Sequence, residues 1–184
     1  MGRGEDLQEW ARSVVDYVAA HRIKNIFLAC LWEGYAEKYG RDRFAGAFVE
    51  TVRGLNDAGS TVWVILQLPS HDAPVAKSLV RSILFGPDNR LWQRTRAEHL
   101  RRTEIMLEIE RLSKGLDVRF LDPAPLFYDP LTERYRVEMD GKALYYDQVH
   151  ITITTALKVI APWLRAAVGE NFALDLGARQ RWRR

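Results

Sequence analysis

Two hydrophobic patterns alternate along the first two thirds of the chain. Apolar residues recur every three or four positions over residues 5–22, 42–57 and 91–112, which predicts amphipathic helices there. Continuous apolar runs at residues 26–32, 61–68 and 118–121 predict short strands, and the first two read as buried on both faces, as in a parallel sheet. Helices that alternate with buried strands are typical of an α/β layer architecture.

The pattern also predicts the ends of these elements and the arrangement of the last third. Gly59 stands where the cap of the second helix belongs, and the third helix is expected to pack through Leu100, Ile105, Ile109 and Leu112. Residues 70–90 have no clear periodicity, which indicates a long loop with a short helix. Two short strands at 135–137 and 143–146 form a predicted hairpin. Thr152 caps a final helix to about residue 168, with a kink expected at Pro162.

Composition describes one soluble globular domain. The chain has 184 residues, of which 47% are hydrophobic and 28% charged. The seven-residue run at 26–32 is the longest apolar stretch and is far too short to span a membrane, and no export signal is visible at the N-terminus. The one cysteine, Cys30, excludes an intrachain disulfide and is expected to be a small core residue of the first strand.

The C-terminus is the segment whose charge adds a candidate function. A net charge of +3 is too small to indicate nucleic-acid binding by itself. The basic tail at residues 177–184 contains a tryptophan and offers contacts to phosphates or anionic lipid, although a solvated terminus has the same composition.

The candidate chemistry lies in the segment that leads into the final helix. Asp147 and His150 are three residues apart, a spacing that lets the carboxylate reach the Nδ1–H of the imidazole. The carboxylate then fixes the tautomer and leaves Nε2 free to take a proton from a hydroxyl nucleophile. The competing interpretation is a helix-capping aspartate beside a surface histidine. His21 and His99 lie on helices without carboxylates placed for a metal site.

Several blocks resemble the SGNH-hydrolase-like domain that is fused to membrane acyltransferases and O-acylates bacterial surface glycans. The last block of that family, Leu-Tyr-x-Asp-x-x-His-Leu-Ser-x-x-Gly-Ala, is matched by Leu144, Tyr145, Asp147, His150 and Ala156. Ile151 stands for the Leu after the histidine, and Thr152 and Thr155 replace the Ser and the Gly. An earlier block, a buried strand that ends in Leu-Ala-x-x-Trp-x-x-Tyr, is matched by Leu28, Ala29, Trp32 and Tyr35. A strand followed by Pro69 and the pair Asp122-Pro123 stand in the family order between them. The resemblance covers about residues 5–168.

The resemblance implies a flavodoxin-like three-layer α/β/α domain with a parallel sheet over residues 1–168, lacking its first strand, and a basic tail at 169–184. It implies acyl-ester transfer or hydrolysis on acylated cell-surface carbohydrate, through a serine acyl-enzyme. His150 would be the general base and then the general acid, and Asp147 would orient it. Trp32 and Tyr35 would line an acyl or sugar pocket, unless they only pack at its rim. No metal or cofactor is implied. The family works on the outer side of the cytoplasmic membrane, with a membrane acyltransferase domain upstream.

The departures from the family leave the enzymatic status open. The nucleophile of the family sits in a Gly-Asp-Ser motif after a central strand, and no Gly-Asp-Ser occurs in these residues. Adjacent residues of a loop point in different directions, so Ser70-His71-Asp72 is not expected to be a triad and the nucleophile is unknown. The Gly-x-Asn-Asp block that helps to bind the oxyanion also has no counterpart.

Two other functions therefore stay open. One is a non-catalytic carbohydrate- or protein-binding remnant of the same fold, and the other is a nucleic-acid-associated protein that uses its basic tail. Without the nucleophile strand, the first strand is expected to expose an apolar edge and to cause self-association. The isolated chain is expected to show essentially no esterase activity.

Overall fold

The computed structural model describes residues 3–86 and 92–169. The helices are α1 (Arg3–Ala20), α2 (Trp32–Tyr39), α3 (Arg41–Asp57), α4 (Val75–Phe85), α5 (Arg96–Leu112), α6 (Ile153–Thr155) and α7 (Ala161–Val168). The strands are β1 (Asn25–Ala29), β2 (Thr61–Ile65), β3 (Val118–Leu121), β4 (Tyr128–Asp129), β5 (Arg134–Tyr135), β6 (Glu138–Met139) and β7 (Lys142–Ala143). A 3₁₀ turn covers Ala124–Phe127, and a π-helical turn covers Ala156–Ile160. The predicted basic tail lies outside the described residues.

A three-stranded parallel sheet in the order β1-β2-β3 organises the molecule. Ile26 pairs with Val62, and Val62 pairs with Val118, so the three strands are in register. β2 lies in the centre of the sheet. The outer edge of β1 pairs with no strand in the described part of the chain. The predicted α/β class with a parallel sheet is confirmed.

One face of the sheet is covered by helices, and the buried residues there form what we call the sheet cluster. Its members come from α1, α2, α3, α5 and β2, and they are Val18, Trp32, Ala36, Ala45, Phe48, Val52, Leu55, Val62, Val64, Ile105, Met106 and Ile109. The predicted packing face of α5 is partly wrong, because Leu100 and Leu112 are 51% and 53% exposed. His99 and Met106 are buried instead, since the face of the helix that meets the sheet passes through them.

The first strand is not buried on both faces. Ile26 and Leu28 pack against the sheet cluster, whereas Ala29 is exposed. The prediction that Cys30 is a core residue is also wrong, because Cys30 is exposed at the end of this strand. An edge strand has a neighbour on one side only, and the run of apolar residues did not distinguish it from the central strand.

A second group of buried residues, the loop cluster, lies beneath the segments that follow β2 and β3. Its members are Val75, Ala124, Phe127, Tyr135, Val137, Leu144 and Tyr145. A hairpin forms close to the predicted place but with other bounds: β6 and β7 pair in antiparallel fashion through Glu138 and Ala143, whereas Tyr135 belongs to β5 and pairs with β4. This cluster supports the loop that carries Asp147 and His150.

The final helical segment begins where the sequence predicted. The Thr152 side chain accepts a hydrogen bond from the backbone N–H of Thr155, as an N-cap does. The predicted kink takes the form of the π-helical turn, in which the N–H of Ala161 bonds the carbonyl of Ala156 immediately before Pro162. No helix in the two described ranges combines the length and the apolar character that a bilayer crossing requires.

Candidate active site

Asp147 and His150 form the hydrogen-bonded pair that their spacing predicts. Oδ2 of Asp147 lies 2.7 Å from Nδ1 of His150. Oδ1 of the same carboxylate accepts hydrogen bonds of 2.8 Å from the backbone N–H groups of Val149 and His150. These backbone bonds, followed by the bond to the imidazole, lower the pKa of Asp147 to about 2, so it is ionised at neutral pH.

The loop that holds this pair is closed by backbone hydrogen bonds at its base. The N–H of Tyr146 donates to the carbonyl of His150 at 2.7 Å, and the N–H of Thr152 donates to the carbonyl of Leu144 at 2.9 Å. Between them, Tyr145 is fully buried in the loop cluster and forms a β-bridge with Ile151. The buried tyrosine and the helix cap therefore fix both ends of the loop, while the ring of His150 projects into solvent, 76% exposed.

His150 lines a cavity of about 310 Å³ at the carboxyl ends of the strands. Residues 29–31 at the end of β1, residues 65–68 at the end of β2, Pro123 after β3, Val149 and Ile160 of the π-helical turn form the other walls. Ligands of open α/β sheets bind at this edge. His150 therefore lies close to the carboxyl ends of the strands.

Gln67 is a wall residue that the sequence interpretation missed. Its side chain is 7% exposed, and its Oε1 accepts a hydrogen bond of 3.4 Å from the backbone N–H of Glu33. Its Nε2 is buried and has no hydrogen-bond partner within the described residues. A buried unpaired donor destabilises the fold by about 1–3 kcal/mol, which makes this amide a candidate for contact with a ligand. A polar residue inside the apolar run 61–68 was the available signal.

Ser70, His71 and Asp72 are adjacent in sequence but do not form a triad, as predicted. The Oγ of Ser70 donates to Glu33 at 3.3 Å, and Nδ1 of His71 accepts from the backbone N–H of Arg94 at 3.2 Å. Asp72 pairs with Nη2 of Arg94 at 2.8 Å. Burial, followed by the nearby Arg94 charge, lowers the pKa of His71 to about 4, so this ring stays neutral and structural.

The two aromatic candidates do not line the cavity beside His150. Trp32 is 6% exposed, donates from Nε1 to the carbonyl of Ile65 at 2.9 Å and packs edge-on against Phe48. The ring of Trp32 therefore packs in the sheet cluster and does not line the cavity. Tyr35 is 46% exposed and stacks on Tyr39, away from the residues that form the walls.

The described residues supply no activated nucleophile. No hydroxyl or thiol in residues 3–86 and 92–169 donates a hydrogen bond to Nε2 of His150. Cys30 lines the cavity with part of its surface exposed, but the protein atoms around its sulfur displace water and raise the pKa of its thiol to about 12, so it is protonated at neutral pH. In the same ranges, no group of three or more His, Cys, Asp or Glu side chains is arranged to hold a metal ion.

Comparison with known proteins gives one family and one informative fold. The model of the family described as the SGNH domain fused to AT3 domains matches residues 2–165. The periplasmic domain of the lipopolysaccharide acetyltransferase of Salmonella ser. Paratyphi A is similar in structure, with a TM-score of 0.62 at 11% sequence identity. The match covers 84% of this chain and 62% of that domain, and at this identity it shows the fold alone. No curated protein matches the chain.

Proposed function

Because this chain belongs to the family of SGNH domains fused to AT3 domains, we propose that it carries the His-Asp half of a serine acyl-transfer site. The substrate class is acylated cell-surface carbohydrate on the outer side of the cytoplasmic membrane. The observation that supports this function is the 2.7 Å contact between Asp147 and His150 at the cavity beyond the strands. Family membership links the chain to a membrane acyltransferase domain.

The proposed mechanism uses the two nitrogens of His150 differently. Asp147 accepts a hydrogen bond from the Nδ1–H of His150, so the lone pair of Nε2 faces solvent. Nε2 takes the proton of a hydroxyl as the hydroxyl oxygen attacks the acyl carbonyl. The imidazolium then donates that proton to the leaving alkoxide, and an acyl-enzyme ester remains. In the second half-reaction His150 deprotonates water or an acceptor sugar hydroxyl, whose oxygen attacks the acyl-enzyme ester. The imidazolium then returns the proton to the departing enzyme oxygen as the acyl group is transferred. The ionised Asp147 stabilises the imidazolium in both steps.

In this proposal the hydroxyl comes from a Gly-Asp-Ser segment that adds a parallel strand beside β1. The outer edge of β1 has no strand partner within the described residues, and β1 ends at the cavity. A strand that runs parallel to it would end at the same edge of the sheet, next to Nε2 of His150. Gln67 is the candidate donor to the acyl oxygen, because its buried Nε2 has no partner within the described ranges.

The direct experiment compares the 184-residue chain with the same chain joined at its N-terminus to a strand-forming segment that carries Gly-Asp-Ser, in hydrolysis of 4-nitrophenyl acetate. We expect background rates from the first protein. The joined protein should be active, and His150→Ala should lower its turnover by on the order of 10⁴ to 10⁶. Hydrolysis by the 184-residue chain alone that is lost in Ser70→Ala or Cys30→Ala would contradict the proposal.

The free edge gives a separate check. Unpaired strands associate with other strands, so the 184-residue chain is expected to self-associate through β1. Ala29→Lys puts a charge on this edge and should weaken association in sedimentation velocity, whereas Leu131→Lys, at an exposed position outside the sheet, should not. An unchanged association constant in Ala29→Lys would show that β1 is covered.

The second candidate function is a non-catalytic carbohydrate-binding domain. The absence of Gly-Asp-Ser from these residues favours it, together with the lack of a described hydroxyl partner for Nε2 of His150. In that case acetylated glycan should bind the chain with an affinity that His150→Ala leaves unchanged. Joining the Gly-Asp-Ser segment should then produce no esterase activity.

A further inference from the structure

Helix α4 is apolar on the side that faces solvent as well as on the side that faces the protein. Its inward residues Val75 and Leu79 pack in the loop cluster. Its outward apolar residues are Val80, Ile83, Leu84 and Phe85, with exposed fractions of 55%, 82%, 68% and 81%. Contiguous exposed apolar surface of this kind marks a contact site for a protein or a membrane.

Two cations share this outward side. Lys77 and Arg81 are exposed and lie one helical turn apart. With about 100° between successive residues, they fall with Val80 and Leu84 inside an arc of about 100°. α4 contains no Asp or Glu, and neither cation forms a salt bridge with the residues that the structure describes. The outward side of α4 is therefore both apolar and positively charged.

A strand added at β1 does not account for this surface. α4 packs on the loop cluster, which contains no residue of β1, whereas the inward residues of β1 belong to the sheet cluster. The surface of α4 and the free edge of β1 are thus two separate features of the molecule.

We propose that the outward side of α4 docks on the surface of an anionic phospholipid bilayer. The apolar side chains would enter the boundary between head groups and acyl chains, and the long stems of Lys77 and Arg81 would place their charges at lipid phosphates. An apolar groove of another protein would have to bury these two cations without partners, at a cost in free energy. Here the cations lie within the apolar arc, and anionic lipid offers the complementary charge.

The position of α4 couples this docking to the site around His150. The N–H of Val75, the first residue of α4, donates to the carbonyl of Asp147 at 3.2 Å, and the N–H of His71 donates to the carbonyl of Gln148 at 2.9 Å. With a rise of about 1.5 Å per residue, α4 is about 16 Å long. A bilayer bound along α4 therefore holds the loop of His150 at the membrane surface.

Vesicle flotation of the purified 184-residue protein tests the proposal. Vesicles of phosphatidylcholine alone are compared with vesicles that contain phosphatidylglycerol as well, at low and at high salt. We expect binding to the anionic vesicles that weakens with salt. Lys77→Gln with Arg81→Gln should weaken it by roughly fivefold for each cation. Leu84→Ser with Phe85→Ser should weaken it at least as strongly at both salt concentrations.

Two controls make the result decisive. Leu131→Ser alters an equally exposed leucine outside α4, 93% exposed, and should bind like the unaltered protein. Deletion of residues 177–184 removes the basic tail and should leave the effect of the α4 substitutions intact. Equal binding to both kinds of vesicle, loss of binding with the tail alone, or α4 variants that bind normally would overturn the proposal. So would a dimer in gel filtration that Leu84→Ser with Phe85→Ser dissociates while vesicles capture no protein.

Discussion

His71 and His150 both stand in loops at the carboxyl edge of the sheet, each near an aspartate, and their environments are opposite. His71 is 4% exposed, and its Nδ1 lone pair is occupied by the backbone N–H of Arg94. The side chain of His150 is 76% exposed, and its Nδ1 is hydrogen-bonded to Asp147. Its Nε2 is therefore the nitrogen that the proposed proton transfer would use. Nε2 of His71 is buried, whereas His150 leaves Nε2 open to solvent, as its proposed role as a base requires; a compact Ser-His-Asp string does not provide this access.

The largest expected difference concerns activity in the chain joined to a Gly-Asp-Ser segment. Asp147→Asn should lower turnover by about 10⁴, because the amide favours the wrong tautomer of His150. Asp72→Asn is the matched control, and it should leave turnover within about threefold, because Asp72 contacts Arg94 and not a reacting group. Steady-state ester hydrolysis measures both. Equal losses in the two variants would contradict the distinction between the two histidines.

For the free energy of unfolding we expect the opposite order, with a larger loss from substitution of His71 than from substitution of His150. His71→Ala removes a buried ring that packs against Tyr145 with centroids 4.7 Å apart, and it leaves the N–H of Arg94 without its acceptor. We expect a loss of about 3–4 kcal/mol in the free energy of unfolding. His150→Ala should change this free energy by less than about 0.5 kcal/mol, because its ring is largely exposed. Urea denaturation checks both, and a large loss in His150→Ala would show that this loop supports the fold.

The pH dependence of stability sharpens the same contrast. The pKa of His71 is lowered from 6.5 to about 4 in the folded protein. The unfolded chain therefore takes up a proton that the folded protein excludes, and stability falls as pH decreases from about 6.5 to about 4. The loss is at most about 3 kcal/mol. In urea denaturation at several pH values, His71→Gln should reduce the dependence of the free energy of unfolding on pH. A smaller dependence should remain, because burial also lowers the pKa of His99. An unchanged slope would count against a neutral His71.

The smallest expected effect concerns the anchor of the His150 loop. Thr152→Ala removes the cap on the final helix, and about 1 kcal/mol of unfolding free energy should be lost. Thr152→Ser keeps the hydroxyl and should retain most of it. Thermal denaturation followed by circular dichroism measures both variants, and a full-sized loss in Thr152→Ser would assign the effect to the methyl group.

Local sequence predicted those elements whose environment is set by nearby residues. The Asp147–His150 contact spans three residues, and the Thr152 cap follows from its own hydroxyl. The burial of β1 was wrong because the apolar run at 26–32 resembles that of the central strand, and only the pairing of strands separates an edge from a centre. The orphan amide of Gln67 was missed for the same reason. Its neighbours come from α2 and from the loop before α6, which no local pattern brings together.

The π-helical turn at Ala156–Ile160 has a consequence for insertions and deletions. A π turn holds about one residue more per turn than an α-helix, and this one ends just before Pro162, which has no N–H to donate. Deletion of Lys158 from the turn would restore α-helical spacing and would keep Val159 and Ile160, which pack against the loop cluster. It also rotates the preceding residues by about 100° relative to α7, and so turns the wall residue Ile160 relative to the loop of His150. The shape of the cavity therefore depends on the number of residues between Thr152 and Pro162, and homologous domains of different length in this segment should differ in the shape of this cavity even when Asp147 and His150 have identical counterparts.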